Sequence, residues 1–232
     1  MARGTRRGKP AAGGEGRGLH RRVRTARGRR PSSTRWLERQ LNDPYVAAAK
    51  RHGYRSRAAF KLVELDERYS FLSRGARVVD LGAAPGGWSQ VVVQRIGPTG
   101  AVLAVDCNPM DAVAGVPALV LDILEAGAGE TIMAALDGPV DVVLSDMAAP
   151  ATGNKTADHL RIVGLCERAA DLACEVLAPG GSFVCKVLKG GAEAELLARL
   201  KRAFRQVRHA KPAASRPESA ETYLVAMGFR GR

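Results

Sequence analysis

The sequence predicts a doubly wound α/β domain built on a mainly parallel sheet. Three observations carry that prediction. An apolar stretch, Arg77–Leu81, runs directly into a glycine-rich turn and then a helical pattern, the order found at the first strand of such folds. From there to Phe204, short apolar runs alternate with helix-length ones. The chain then closes with two strand-like runs and no helix between them, which inserts one antiparallel strand at the end of the sheet.

The elements follow in order. Residues 1–34 are rich in Gly, Arg, Ala and Pro without apolar periodicity, and read as a disordered basic arm. The domain proper spans 35–232, a length that suits one core of ordinary size. Trp36–Lys50 fits a short helix, and Ser56 is placed to cap a second one running through Tyr69. Arg77–Leu81 is the first strand, and Trp88–Ile96 is a helix closed by Gly97-Pro98. Ala101–Asp106 and Ala118–Leu121 are strands, and Glu130–Leu136 is helical. Val140–Leu144 is a strand ending at Ser145-Asp146. Ala157–Leu177 is a long helix stopped by Pro179-Gly180-Gly181. Ser182–Leu188 is a strand, Glu193–Phe204 a helix, and the last strands lie near Gln206–His209 and Glu221–Met227.

The net charge of +13 is unevenly spread. Residues 1–35 hold 12 bases and one acid, 78–185 hold four bases and 13 acids, and 186–232 hold 11 bases and four acids. Basic flanks that meet in space form a surface suited to a polyanion. The four cysteines (Cys107, Cys166, Cys174, Cys185) make no CxxC pair, and the four histidines have no ligand spacing, so neither disulfides nor a metal centre is expected. No apolar run reaches the roughly 18 residues of a membrane span. The basic N-terminus lacks a signal peptide's apolar core. In a eukaryotic source its composition would be compatible with a transit peptide. The expectation is otherwise a cytoplasmic monomer.

The turn Asp80-Leu81-Gly82-Ala83-Ala84-Pro85-Gly86-Gly87-Trp88 sits where doubly wound sheets bind ligands. It is not GxGxxG, and Pro85 removes an amide that a phosphate cradle would use, which argues against a dinucleotide. Asp106 ends the next strand, placed to accept ribose hydroxyls, and Asp122 ends the third, placed to accept an adenine amine. With Asp80, these strand-terminal acids describe an adenosine pocket.

Two residues look wrong for a core. Asp146 follows an apolar strand, and Lys186 lies inside Phe183-Val184-Cys185-Lys186-Val187-Leu188. A charge there is costly unless it is paired or lies at a cleft. Ends of neighbouring central strands lie close together, so each can be the other's partner. Lys61 and Glu221 are further candidates for the same cluster.

These residues and several runs around them resemble the RlmE/FtsJ (RrmJ) family of ribosomal RNA ribose 2′-O-methyltransferases, from about Trp36 to Gly228. The runs include Ser56–Leu62, Asp80–Gln90, Asp106 with Pro109-Met110-Asp111, Ser145–Ala148, Leu177–Phe183, Ser215-Arg216 and Glu221-Thr222-Tyr223. The resemblance implies a Rossmann-like methyltransferase fold with a seven-stranded sheet, S-adenosylmethionine as cofactor and no metal. It places the catalytic tetrad on Lys61, Asp146, Lys186 and Glu221. It places cofactor binding on Gly86, Trp88, Asp106, Asp122 and Asp146. The acceptor it implies is RNA, a uridine of 23S rRNA within the 50S subunit; relatives that modify transfer RNA keep that alternative open. The chain departs from the family just after Asp146, where Met147-Ala148-Ala149-Pro150 carries an extra alanine.

On this reading Lys186 takes the proton of the attacking hydroxyl, for which it must be neutral; as an ammonium it would orient the hydroxyl and leave the proton to water. Arg55, Arg57, Lys189, Arg205, Arg208 and Arg216 would hold RNA phosphates. A small-molecule O-methyltransferase would need neither the basic arm nor the second lysine. A non-catalytic RNA-binding assembly factor would not need the tetrad, and a nicotinamide dehydrogenase would need a different glycine turn.

Overall fold

Strand order in the sheet is β3-β2-β1-β4-β5-β7-β6. The strands are β1 (Arg77–Leu81), β2 (Ala101–Asp106), β3 (Ala118–Val120), β4 (Val140–Ser145), β5 (Leu177–Leu188), β6 (Phe204–Ala210) and β7 (Glu221–Phe229). The structure, a computed structural model, describes residues 31–149, 152–189 and 193–231. The expected arm therefore lies mostly outside the described residues. Five of the strands pair in parallel, from β3 through β5, and β7 is antiparallel to both β5 and β6. This is the expected doubly wound sheet with its one antiparallel strand. The order reverses between β1 and β4, and that switch point opens the crevice that holds ligands in such sheets.

The chain divides into two units, 1–44 and 45–232. Helix α1 (Pro31–Leu41) belongs to the first. It begins inside the segment expected to be disordered, and Pro31 suits a first helical turn because its missing N–H would be unpaired there anyway. The single helix expected over 36–50 is in fact two. Pro44 bars Asp43 from helical geometry, so the chain stops at Leu41 and restarts as α2 (Pro44–His52). Helix α3 (Ala59–Tyr69) starts later than Ser56 would cap it and has no side-chain cap. Ser56 instead packs against Gly87, where a side chain would collide with its hydroxyl.

Helices α3 and α4 (Gly87–Ile96) cover one face of the sheet; α5 (Ala128–Ala135), α6 (Lys155–Val176) and α7 (Glu193–Ala203) belong to the other. Strand alternation sorts the core accordingly: Val79 and Leu81 pack with α5 and α6, while Val78 packs with α3 and α4. Helix α6 starts at Lys155, earlier than expected, because Asn154 caps it by accepting from the Thr156 and Ala157 amides. It ends at Val176, and the chain passes directly into β5, where Leu177 pairs with Val140 before the register shifts.

Candidate active site

A cavity of about 680 Å³ opens at the C-terminal ends of β1, β2, β3 and β4. Its carboxylates are Asp106, Asp122 and Asp146, its cation is Arg161 on α6, and Leu121, Ile123 and Leu165 are among its apolar walls. Gly82 turns the chain at φ +72°, and a Cβ there would fall 2.5 Å from Met147 Cγ. Only glycine fits that approach. Asp106 is already oriented: Oδ2 accepts from the Ala84 amide at 3.0 Å, and Oδ1 from the Asn108 amide at 2.8 Å. Asp122 Oδ1 accepts from the Leu124 amide at 2.9 Å.

Asp80 does not join them. Alternation along β1 turns it onto the α4 face, where it is buried and accepts from the Ser89 hydroxyl at 2.6 Å. Burial, opposed by that hydrogen bond and reinforced by the charge of Asp146, pushes its carboxyl up to about 7. The three-acid pocket read from the sequence thus holds Asp106 and Asp122 but has Asp146 in place of Asp80.

Gly86 and Trp88 do not line this cavity. Gly86 takes φ +102° as the residue before α4, and a Cβ on it would meet Val113 Cγ2 at 2.7 Å. Trp88 is buried, donating from Nε1 to the Ala58 carbonyl at 2.8 Å with its ring 5.9 Å from that of Tyr223. Trp88 thus ties the start of α4 to the residue before α3, while Gly86 lets the turn approach Val113 and Arg55.

Beside the cavity the four expected catalytic residues converge from α3, the end of β4, β5 and β7. Lys186 Nζ donates to the Asp146 carbonyl at 2.5 Å and lies 3.1 Å from Asp146 Oδ1. Lys61 Nζ lies 2.8 Å from Glu221 Oε1 and 3.8 Å from Asp146 Oδ2. Both lysines are buried. Two cations balance two carboxylates, which is how charges persist out of water.

Two further residues complete the cluster. The Tyr223 hydroxyl donates to Asp146 Oδ1 at 2.7 Å and lies 3.3 Å from Glu221 Oε1, and the Ser215 hydroxyl donates to Glu221 Oε1 at 2.9 Å. Burial raises the Glu221 carboxyl, but the Lys61 charge and the hydrogen bonds from Lys61 and Ser215 outweigh it, so Glu221 is held below its ordinary range. Burial and the charges of Asp146 and Glu221 push the Tyr223 phenol well above its ordinary value, so it stays a donor. The signal for Tyr223 was its place two residues from Glu221, which sets both side chains on one face of β7.

Of the six cations expected to hold phosphates, Arg55 is engaged elsewhere. Its guanidinium donates to the carbonyls of Pro85, Asp111 and Ala112 at 3.0, 2.6 and 2.5 Å. Gln90 adds a second tie, accepting from the Arg55 amide at 2.9 Å and donating to the Gly53 carbonyl at 2.9 Å. Arg57 is half-buried and donates to the Ala214 carbonyl at 2.6 Å. Lys189, Arg205 and Arg208 are exposed and Arg216 is half-exposed. On β6, Arg208 pairs with Val225 and so lies on the Tyr223 side. Among the described residues no cluster of His, Cys, Asp and Glu could hold a metal ion, and no helix is long and apolar enough to cross a membrane.

Residues 54–229 match the FtsJ-like methyltransferase family. Ribosomal RNA large subunit methyltransferase E of Parvibaculum lavamentivorans is 58% identical, over 97% of this chain and 93% of that protein. The protein of the same name from Azorhizobium caulinodans is 59% identical, over 94% and 92%. A crystal structure described as a ribosomal RNA methyltransferase of Plasmodium falciparum superposes with a TM-score of 0.69 at 32% identity, over 77% of this chain and 100% of that one.

Proposed function

The chain belongs to the FtsJ-like methyltransferase family, and on that premise we propose that it moves the methyl group of S-adenosylmethionine to a ribose 2′-hydroxyl of large-subunit ribosomal RNA. The acceptor is a uridine of the 23S peptidyl-transferase-region loop, met on the 50S subunit in the cytoplasm. One observation carries the reading. Asp146 belongs to both halves of the site, lining the cavity and holding Lys186. An oxygen brought to Lys186 therefore lies beside whatever the cavity binds.

The cavity suits the donor. Its volume falls within the roughly 300–1,000 Å³ of small-ligand sites. Three carboxylates against one arginine favour a cation over a diphosphate. Asp106 would hold the ribose hydroxyls, and Asp122 the adenine amine. When bound there, S-adenosylmethionine supplies an electrophilic methyl group on a sulfonium.

The residues of the chain do the rest. A 2′-hydroxyl is a weak acid, so its proton must leave as the new C–O bond forms. Lys186, an ammonium in the balanced cluster, must first release its own proton to water, and Nζ then accepts that of the hydroxyl. The Asp146 carbonyl and carboxylate fix Nζ in place, and Tyr223 fixes the carboxylate. Lys61 and Glu221, tied to Ser215, position the ribose. Alignment of this kind is a major part of catalysis in a displacement.

The test is transfer of labelled methyl to 50S subunits, naked 23S rRNA and transfer RNA, with the modified nucleotide identified. A 2′-O-methyluridine in the 50S arm is the expected product. Label only in transfer RNA, on a base, or nowhere would overturn the proposal.

A further inference from the structure

The segment between α2 and the middle of α3 carries an unusual combination. Residues 44–63 contain five bases and no acid, together with Tyr45, His52, Tyr54 and Phe60. The four rings form one cluster. Phe60 meets Tyr45 at 5.6 Å, Tyr54 at 5.6 Å edge-on and His52 at 5.8 Å edge-on. His52 lies 17° from parallel to Tyr54 at 6.3 Å. The cluster is not sealed in the core. His52 is exposed and the other three are only half-buried, although Ala59, Lys61 and Leu62 beside Phe60 on α3 are buried.

Cations frame it. Lys50 and Arg51, in the last turn of α2, are exposed, and the Arg57 guanidinium sits 5.7 Å over the Tyr45 ring. The cluster also borders the reaction centre. Phe60 precedes Lys61, and Arg57 before α3 and Glu64 on it bind the carbonyl and amide of Ala214, next to the Ser215 that holds Glu221.

Partly exposed rings beside cations are what single-stranded nucleic acid requires, since each base offers a face to stack and each phosphate a charge to pair. We propose that the His52–Tyr54–Phe60 cluster is a stacking platform for an unpaired RNA base flanking the target nucleotide, with Lys50 and Arg51 pairing the adjoining phosphates. The proposal rests on the RNA-acceptor reading and extends it from the reacting ribose to its neighbour. An edge of this kind holds the strand while the target ribose reaches Lys186 beyond Lys61.

The test uses the full chain with two oligonucleotides, a single-stranded 12-mer of uridines and the same strand with abasic riboses. Anisotropy titrations compare wild type, His52→Ala, Tyr54→Leu and Tyr54→Phe. His52→Ala and Tyr54→Leu should each weaken the base-bearing strand roughly tenfold and leave the abasic strand unchanged, the scale of one lost base–aromatic stack. Tyr54→Phe keeps the ring and loses only the hydroxyl bond to Gln94, so it should bind like wild type. Lys50→Gln should weaken both strands and flatten the salt dependence. Thermal unfolding and donor affinity should match wild type in His52→Ala, whose ring is exposed. Equal losses on both strands, or no loss in His52→Ala and Tyr54→Leu, would overturn the platform. A wild type that binds neither strand and methylates no RNA would instead overturn the acceptor reading.

Discussion

The donor cavity draws its lining from strand ends and loops that follow one another between Gly82 and Leu165, whereas the adjoining lysine–carboxylate cluster gathers Lys61, Asp146, Lys186 and Glu221 from one end of the domain to the other. The cavity is lopsided in charge and open to a cationic ligand. The cluster is closed and balanced, each ammonium set against a carboxylate. The difference separates two kinds of dependence. A cavity wall can be cut back at the cost of the contact it makes. Removing one member of a buried balanced set strands its partner's charge, which costs about 3–5 kcal/mol. Binding should therefore fail gradually across the first region and chemistry abruptly in the second.

Lys186 should show the largest effect. Lys186→Ala should lower single-turnover methyl transfer by about 10²–10⁴-fold, the range of a positioned base, while donor affinity stays within a few-fold. Lys186→Arg should be almost as poor, because a guanidinium stays protonated and cannot take the proton. The wild-type rate should rise with pH and then level, the profile of a base that accepts a proton only in its neutral form. A rate that falls at high pH would assign Lys186 to orienting the hydroxyl, and an Ala variant above about a tenth of the wild-type rate would move the base elsewhere, with Lys61 next to test.

Asp80 lies beneath both regions and should couple stability to pH. Burial, with Asp146 and Asp106 contributing, raises its folded value to about 7, well above the ordinary 3.8 of an aspartate. The folded state therefore binds this proton more tightly than the unfolded chain. Stability from this group falls as pH rises from about 4 through 7, and is level above that. Asp80→Asn removes the titration and keeps a neutral partner for Ser89. The wild type should lose up to roughly 4 kcal/mol relative to Asp80→Asn between pH 4 and pH 8, by the conversion of 1.36 kcal/mol per pKa unit. Urea unfolding at both pH values measures this, and a constant difference would show that Asp80 is not neutral in the fold.

Asp106 should have a smaller effect, confined to binding. Asp106→Ala should weaken donor affinity by about 1.5–3 kcal/mol, the scale of hydrogen bonds to a charged group, and leave the transfer rate at saturating donor within a few-fold. Calorimetry gives the first number and single turnover the second. Equal losses in both would mean that the cavity also shapes the transition state, and the contrast between the two regions would weaken.

Legibility in the sequence follows the same division. The glycine turn, Asp106 and Asp122 were readable because each closes a strand where this topology binds ligands. Asp80 satisfies the same sequence rule but faces the other way, since only the pairing of β1 fixes which of its alternating residues meet α4. The cluster was visible as charges that an apolar strand should not hold, at Lys186 and after β4; its other members came from family likeness. Tyr223 stands in a family-like run without a role of its own, because an aromatic in a buried strand looks like core until its hydroxyl partners are known. The break at Pro44 was written in the chain and overridden by a continuous helical pattern on either side.

Arg55 is the sharpest case, and its expected effect is the smallest. A cation in a basic stretch looks like a phosphate contact, because main-chain carbonyl partners leave no mark in a sequence. The structure joins it to Pro85 in the glycine turn and to Asp111 and Ala112 in the loop after β2, so it braces the turn beside the cavity without lining it. The guanidinium is exposed, and water can replace part of each lost bond. Arg55→Gln should then weaken donor affinity by about 1–2 kcal/mol, or roughly 5–30-fold, as a loss of neutral-acceptor bonds from a charged donor. The slope of log RNA affinity against log salt should not change. Arg208→Gln, at an exposed position on the Tyr223 side of β6, should do the reverse, leaving donor affinity alone and reducing that slope by about 1. If Arg55→Gln instead flattened the salt slope and spared the donor, Arg55 would return to the RNA surface. The glycine turn would then have to be held by Gln90, Gly86 and the Trp88 bond to Ala58 alone.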